Sequence, residues 1–126
     1  YGEAEELFRQ CLEAEKSALG EAHPSTLVSM NNLANSVEKQ GRYEEAEGLH
    51  RRCLEALKTA LGEAHPSTLD SINNLALAVV LQGRYEEAKE LLRECIEAKK
   101  NVLGEAHPST LKSMEFLAMV VSQQGR

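Results

Sequence analysis

The side chains of this chain that could bind metal, form disulfides or attack a substrate are its three cysteines and four histidines, and their spacing limits what they can do. Cys11, Cys53 and Cys95 stand 42 residues apart. No Cys-x-x-Cys pair is present to begin a zinc site. Equivalent residues on successive packed helices sit roughly 8–10 Å apart, beyond the ~7 Å between Cα atoms that a disulfide tolerates. Three free thiols are therefore expected, each a small apolar residue in a helix contact. Free thiols fit a reducing, intracellular compartment, and a cytoplasmic location is expected. His23, His65 and His107 recur two residues after Glu21, Glu63 and Glu105. A Glu-x-His pair supplies two metal ligands, but each copy sits alone in a turn before a proline. A role at a helix start is expected, and no metal. His50 has no recurrent partner: Phe8 and Leu92 hold the equivalent positions, so it reads as a packing variant. Glu44, Glu45, Glu86 and Glu87 suit the positive end of a helix and a solvated face. No nucleophile–base motif, phosphate loop or catalytic carboxylate pair occurs. The expectation is no catalytic residue, no cofactor and no enzyme.

The elements that carry these residues follow from a repeat. Leu-Gly-Glu-Ala-His-Pro-Ser-Thr-Leu occurs at 19–27, 61–69 and 103–111, and Tyr1, Tyr43 and Tyr85 open three units of 42 residues at 1–42, 43–84 and 85–126. Each unit holds two helical patterns. Tyr43, Ala46, Leu49, Cys53, Leu54, Leu57 and Leu61 mark one apolar face, spaced by threes and fours; Leu69, Ile72, Leu75, Ala76 and Val79 mark the other. Gly62 is placed to end a helix in a left-handed conformation. Pro66 suits the first turn of the next helix, where a missing N–H costs nothing, and Gly83 breaks the chain before Tyr85. No strand-like alternation appears, so the class is all-α, and helix–turn–helix repetition is the sequence form of a solenoid.

Composition excludes other classes. The net charge is −6, and aromatic residues are 4% with no Trp. A chain this acidic lacks the Lys/Arg footprint for nucleic acid and for an anionic membrane surface. No stretch approaches the length of a membrane span, and no signal-peptide pattern opens the chain.

Asn32-Leu33-Ala34 followed by Gly41, Tyr43 and Ala46, and Asn74-Leu75-Ala76 followed by Gly83, Tyr85 and Ala88, resemble the tetratricopeptide repeat. Most such repeats have 34 residues. The 42-residue period and the Leu-Gly-x-x-His-Pro turn are similar to the subtype found in kinesin light chains. The resemblance covers the whole chain and implies a right-handed superhelical α-solenoid of antiparallel helix pairs, one array over 1–126. In that register the pairs fall at about 24–61 and 66–103, with an unpaired helix at each end, as in a window cut from a longer array.

The resemblance also implies an inner, concave wall made by the first helix of each pair. On it would lie Val28, Asn31, Asn32, Asn35 and Lys39, then Asp70, Asn73, Asn74, Leu77 and Leu81, then Lys112, Glu115, Phe116, Met119 and Gln123. Several family members hold a peptide backbone with such asparagines, whose amide both donates and accepts. Asn32 and Asn74 are the leading candidates; Glu115-Phe116 departs from the pattern. The wall would be nearly neutral, with an apolar middle at Leu77, Val80 and Leu81. The expected function is a scaffold that binds a protein or peptide in the groove. The alternative is head-to-tail self-association through open ends, with Leu7, Cys11 and Leu12 at one end and Leu117 and Val121 at the other. A third reading is the ligand-sensing part of a larger switch protein.

Overall fold

The structure, a computed structural model, describes residues 2–125. Tyr1, which opens the first unit, and Arg126, which closes the third, lie outside them. The described residues form α1 (Gly2–Leu19), α2 (Pro24–Lys39), α3 (Tyr43–Leu61), α4 (Pro66–Leu81), α5 (Tyr85–Leu103) and α6 (Pro108–Gln124), with no strand among them. Each helix packs on its neighbours in chain order, as a solenoid requires.

The recurring nine-residue segment is a closed turn. Its histidine is the N-cap of the following helix: Nδ1 of His23, His65 and His107 accepts from the N–H of Ser25, Ser67 and Ser109 at 3.1, 3.1 and 3.0 Å. The threonine folds back, and Thr68 Oγ1 donates to the Gly62 carbonyl at 2.8 Å. Gly62 itself departs from the expected left-handed helical geometry. Its φ of 96° is paired with a ψ of 161°, an extended mirror-image conformation open essentially only to glycine. That conformation turns the Gly62 carbonyl toward Thr68. The other turn, Gln82-Gly83-Arg84, is a Schellman closure in which Arg84 N–H reaches Val79 and Gly83 N–H reaches Val80.

Small residues set the helix spacing. Ala34, Ala46, Ala76 and Ala88 are fully buried, which lets the helices approach closely around the buried Leu33, Leu75 and Leu92. Cys53 and Cys95 are buried free thiols in the same contacts, and Cys11 is free but exposed. Burial pushes the thiols of Cys53 and Cys95 above the ordinary range, which makes them poor nucleophiles.

Two expectations about the ends are corrected. Leu12 is only 3% exposed, because α2 lies over it and joins it to the core with Leu27 and Met30. Leu117 is half-buried against the cluster of Ala76, Leu92 and Val120. Exposed apolar residues on the two end helices include Leu7, Cys11 and Leu19 on α1 and Leu111, Met114, Met119 and Val121 on α6. No helix of the described residues is long and apolar enough to cross a membrane.

Candidate functional site

Wherever two even-numbered helices lie side by side, the odd-numbered helix between them in sequence backs a cleft. The first cleft, about 490 Å³, lies between α2 and α4. Leu27 and Val28 from α2 and Leu57 and Leu61 from α3 give it an apolar lining, and Asn31, Asp70 and Asn74 add its polar groups. Asn74 Nδ2 donates to Asn31 Oδ1 at 3.4 Å, tying α4 to α2.

The second cleft, about 450 Å³, occupies the equivalent place between α4 and α6, backed by α5. Its chemistry differs because the repeat varies at a few positions. Lys99 stands where the first cleft has Leu57, Asp70 where it has Val28, and Lys112 where it has Asp70. Lys99 is 2% exposed, so its ammonium must be paired to be tolerated. Its Nζ donates to Ser113 Oγ at 2.9 Å and to the Ser109 carbonyl at 3.4 Å, and lies 3.3 Å from Asp70 Oδ1. Ser113 Oγ in turn donates to Asn73 Oδ1 at 3.0 Å. With its oxygen so engaged, Asn73 turns its N–H groups away from that bond.

Of the candidate groove residues, Asn31, Asp70 and Asn74 line the first cleft, and Asp70, Asn73 and Asn74 the second. Asn32, Asn35, Leu77 and Leu81 are exposed on α2 and α4 but line neither cleft. Lys99, Ser113 and Leu57 escaped the sequence reading. The signal was partial: position 15, 57, 99 reads Glu, Leu, Lys opposite an unvarying Ser29, Ser71 and Ser113, but other columns vary as much, among them Val28, Asp70 and Lys112. In the first unit Glu15 Oε1 accepts from Ser29 Oγ.

Charge elsewhere is used for structure. Glu5 accepts from Arg42, Gln40 and Arg9, which hold its carboxyl down at about 2. Glu47 is raised by burial, but hydrogen bonds from Gln82, Arg84 and Arg51 outweigh this and bring it to about 2. In the third unit Lys89 replaces this glutamate and pairs with Glu86 at 2.9 Å. His50 is 1% exposed, with Nε2 3.4 Å from Glu38 Oε2 and no partner for Nδ1. No cluster of three His, Cys, Asp or Glu able to hold a metal occurs among the described residues.

Comparison with known proteins connects this geometry to a family. The tetratricopeptide repeat family model matches residues 1–59, 31–101 and 69–126. Two crystal structures of a Podosopora anserina protein assigned as a kinesin light chain, with nearly identical TPR-like repeats, superpose with a TM-score of 0.86 at 33% identity. One of the two is of a single-residue variant of that protein. Each alignment covers 98% of this chain and 58% or 59% of the other, so the chain spans under two thirds of their length. BtubC (BKLC) from P. vanneervenii superposes at a TM-score of 0.78 and 19% identity, over 94% of this chain and 48% of that one, a likeness of fold. A comparison with curated proteins gave no match.

Proposed function

The chain belongs to the tetratricopeptide repeat family, whose repeats mediate protein–protein interaction, and from that premise we propose that α2, α4 and α6 hold an extended segment of a partner protein. One observation carries this reading. Two successive clefts of similar volume, about 490 and 450 Å³, open along the same set of helices with side-chain amides in each. A row of equivalent clefts suits side chains of an extended chain, while amides pair with its backbone whatever its sequence. Asn32 is exposed on α2, one of the helices that form this row.

The test is a set of peptides selected by display against the 126-residue chain, mapped by amide chemical-shift changes. Shifts confined to residues around the two clefts support the reading. Asn32→Ala with Asn74→Ala should weaken the selected peptides at least tenfold while circular dichroism stays unchanged. Unchanged affinity in the folded double variant overturns it.

A second reading is favoured by the end faces. Leu111, Met114 and Val121 on α6 are exposed, whereas their equivalents on α2, Leu27, Met30 and Val37, are buried. The α6 face is built to receive a helix of the α1 type, which a further repeat or a second copy of this chain supplies. Filament or dimer formation is then the expected behaviour of the 126-residue polypeptide in isolation.

A further inference from the structure

We propose that a second copy of this chain covers α6 in one fixed register, set by charge, with its α1 placed as α3 and α5 are against α2 and α4. This rests on the end-face reading above and names the contacts that decide it. Val28, Asp70 and Lys112 hold one position of the three units, and Glu15, Leu57 and Lys99 hold another. Inside the chain, the first position of one unit meets the second position of the next. Val28 and Leu57 line the first cleft together, and Lys99 Nζ lies 3.3 Å from Asp70 Oδ1. One junction is therefore apolar on both sides, and the other carries opposite charges. Lys112 and Glu15 are the two residues left over, and they too are of opposite charge. They meet only where α6 of one copy receives α1 of another.

Glu15 is already held for this contact. It accepts from Ser29 Oγ as Lys99 donates to Ser113 Oγ, so the two charged groups occupy the same place on equivalent helices. A second pair of positions repeats the pattern. Arg9 reaches Glu45 of the following unit at 2.5 Å, and Arg51 reaches Glu87 at 2.8 Å. Arg93 is the next member of this ladder and is exposed. Lys89 replaces the glutamate one turn earlier that Arg9 and Arg51 also bind. The complement to Arg93 is the exposed Glu3 of a second copy, equivalent to Glu45 and Glu87.

The departure of Glu115 from asparagine fits the same junction. Asn74 Nδ2 donates to Asn31 Oδ1 between α4 and α2. Across two copies Asn32 takes the donor's place and Glu115 the acceptor's, and a carboxylate only accepts. Three polar contacts thus carry over from the internal junctions with no like charges opposed. Exposed Leu111, Met114 and Val121 supply the apolar area, while the charges fix polarity and register. The contact is heterologous and leaves a free face at each end, so it propagates.

The experiment is sedimentation velocity on the 126-residue chain and on Lys112→Glu and Glu15→Lys, each alone and then mixed in equal amounts. Wild type should associate more as concentration rises. Each variant alone opposes like charges at every junction, and its association should weaken at least tenfold. The mixture should associate again, because the α6 face of the first variant then meets the α1 face of the second with opposite charges. The reverse contact in that mixture is the native one, so recovery also shows that both variants are folded. Cys11 reports the polarity. Cys53 and Cys95 lie buried against the Leu27 and Leu69 carbonyls, whereas Cys11 is exposed. Its reaction with a thiol reagent should slow in wild type and in the mixture, but in neither variant alone. If wild type, variants and mixture associate alike, the charged register is overturned while stacking of the end faces stands. If the variants stay apart and the mixture does too, the register is likewise overturned. If wild type remains at 13.9 kDa throughout, end association itself fails and the register with it.

Discussion

At Glu47 three donors from three stretches of chain meet one carboxylate: Arg51 from the same helix, Gln82 from the end of α4 and Arg84 from the start of α5. Their bonds outweigh the burial that would raise its pKa and set it at about 2, against 4.5 for the unperturbed group. A carboxyl lowered on folding stabilises the native state in full above pH 4.5, and that contribution is lost as pH falls from 4.5 through 2. Glu47→Gln should therefore lower the thermal midpoint at pH 7 and flatten its decline between pH 4.5 and 2, with wild type and variant converging near pH 2. A parallel offset at every pH would remove the proton linkage from the argument. His50 predicts the opposite direction. It and Glu38 are a buried polar pair with an unpartnered Nδ1, whereas Leu92 and Val80 fill the same places in the next unit. The double change His50→Leu with Glu38→Val should raise stability by about 1–3 kcal/mol in urea denaturation. His50→Leu alone should gain less, since it leaves Glu38 half-buried without its neighbour. Sequence showed that His50 was the odd residue of its column but not that Glu38 varied with it, because the two lie on different helices.

At the scale of the element, boundaries were readable because punctuation recurs with the repeat. Helices expected from Pro24, Tyr43, Pro66, Tyr85 and Pro108 begin at those residues. What was not readable was the conformation behind the punctuation. Gly62 and Gly104 stand at φ 96° and 101° with ψ near the extended limit, a choice fixed by the threonine six residues on, which bonds their carbonyls. Gly62→Ala should cost roughly 1–3 kcal/mol, although no atom lies within 4 Å of the added methyl. The loss would come from backbone strain, not a clash. Gly48 tests the converse. It lies inside α3 with open space around it, and Glu6 and Glu90 hold the equivalent positions. Gly48→Ala should stabilise by about 0.5–1 kcal/mol. Opposite signs from two Gly→Ala changes in the same helix–turn unit would separate conformation from space. A loss at Gly48 as large as at Gly62 would refute that separation.

The whole molecule joins these units through contacts between neighbours alone, so each unit meets the same environment except at the two ends. The groove and the ends were therefore legible to different degrees. Which helices would line the proposed groove followed from the family resemblance, but the division of that face into an apolar and a cationic cleft depends on Leu57 and Lys99, which belong to the other helices and reach it from behind. The ends follow from comparison of equivalent residues. Leu7 is 54% exposed and Val121 47%, whereas Leu49 is 7% and Val79 0% exposed. Covering such side chains contributes about 1.5–3 kcal/mol each when burial is complete, enough to favour association of two ends that are halves of the same repeated contact. Light scattering of the isolated polypeptide should then show a mass above 13.9 kDa that climbs with concentration. Val121→Glu should return it to the single-chain value, and this test is cleaner than Leu117→Glu because Leu117 already packs inside its own chain. Leu81→Glu, at a groove-helix residue 40% exposed, should leave the association unchanged. A constant 13.9 kDa across the range would mean that hydration of the ends costs less than immobilising a second copy. The self-association reading would then fall, leaving the face of α2, α4 and α6 to account for what the array binds.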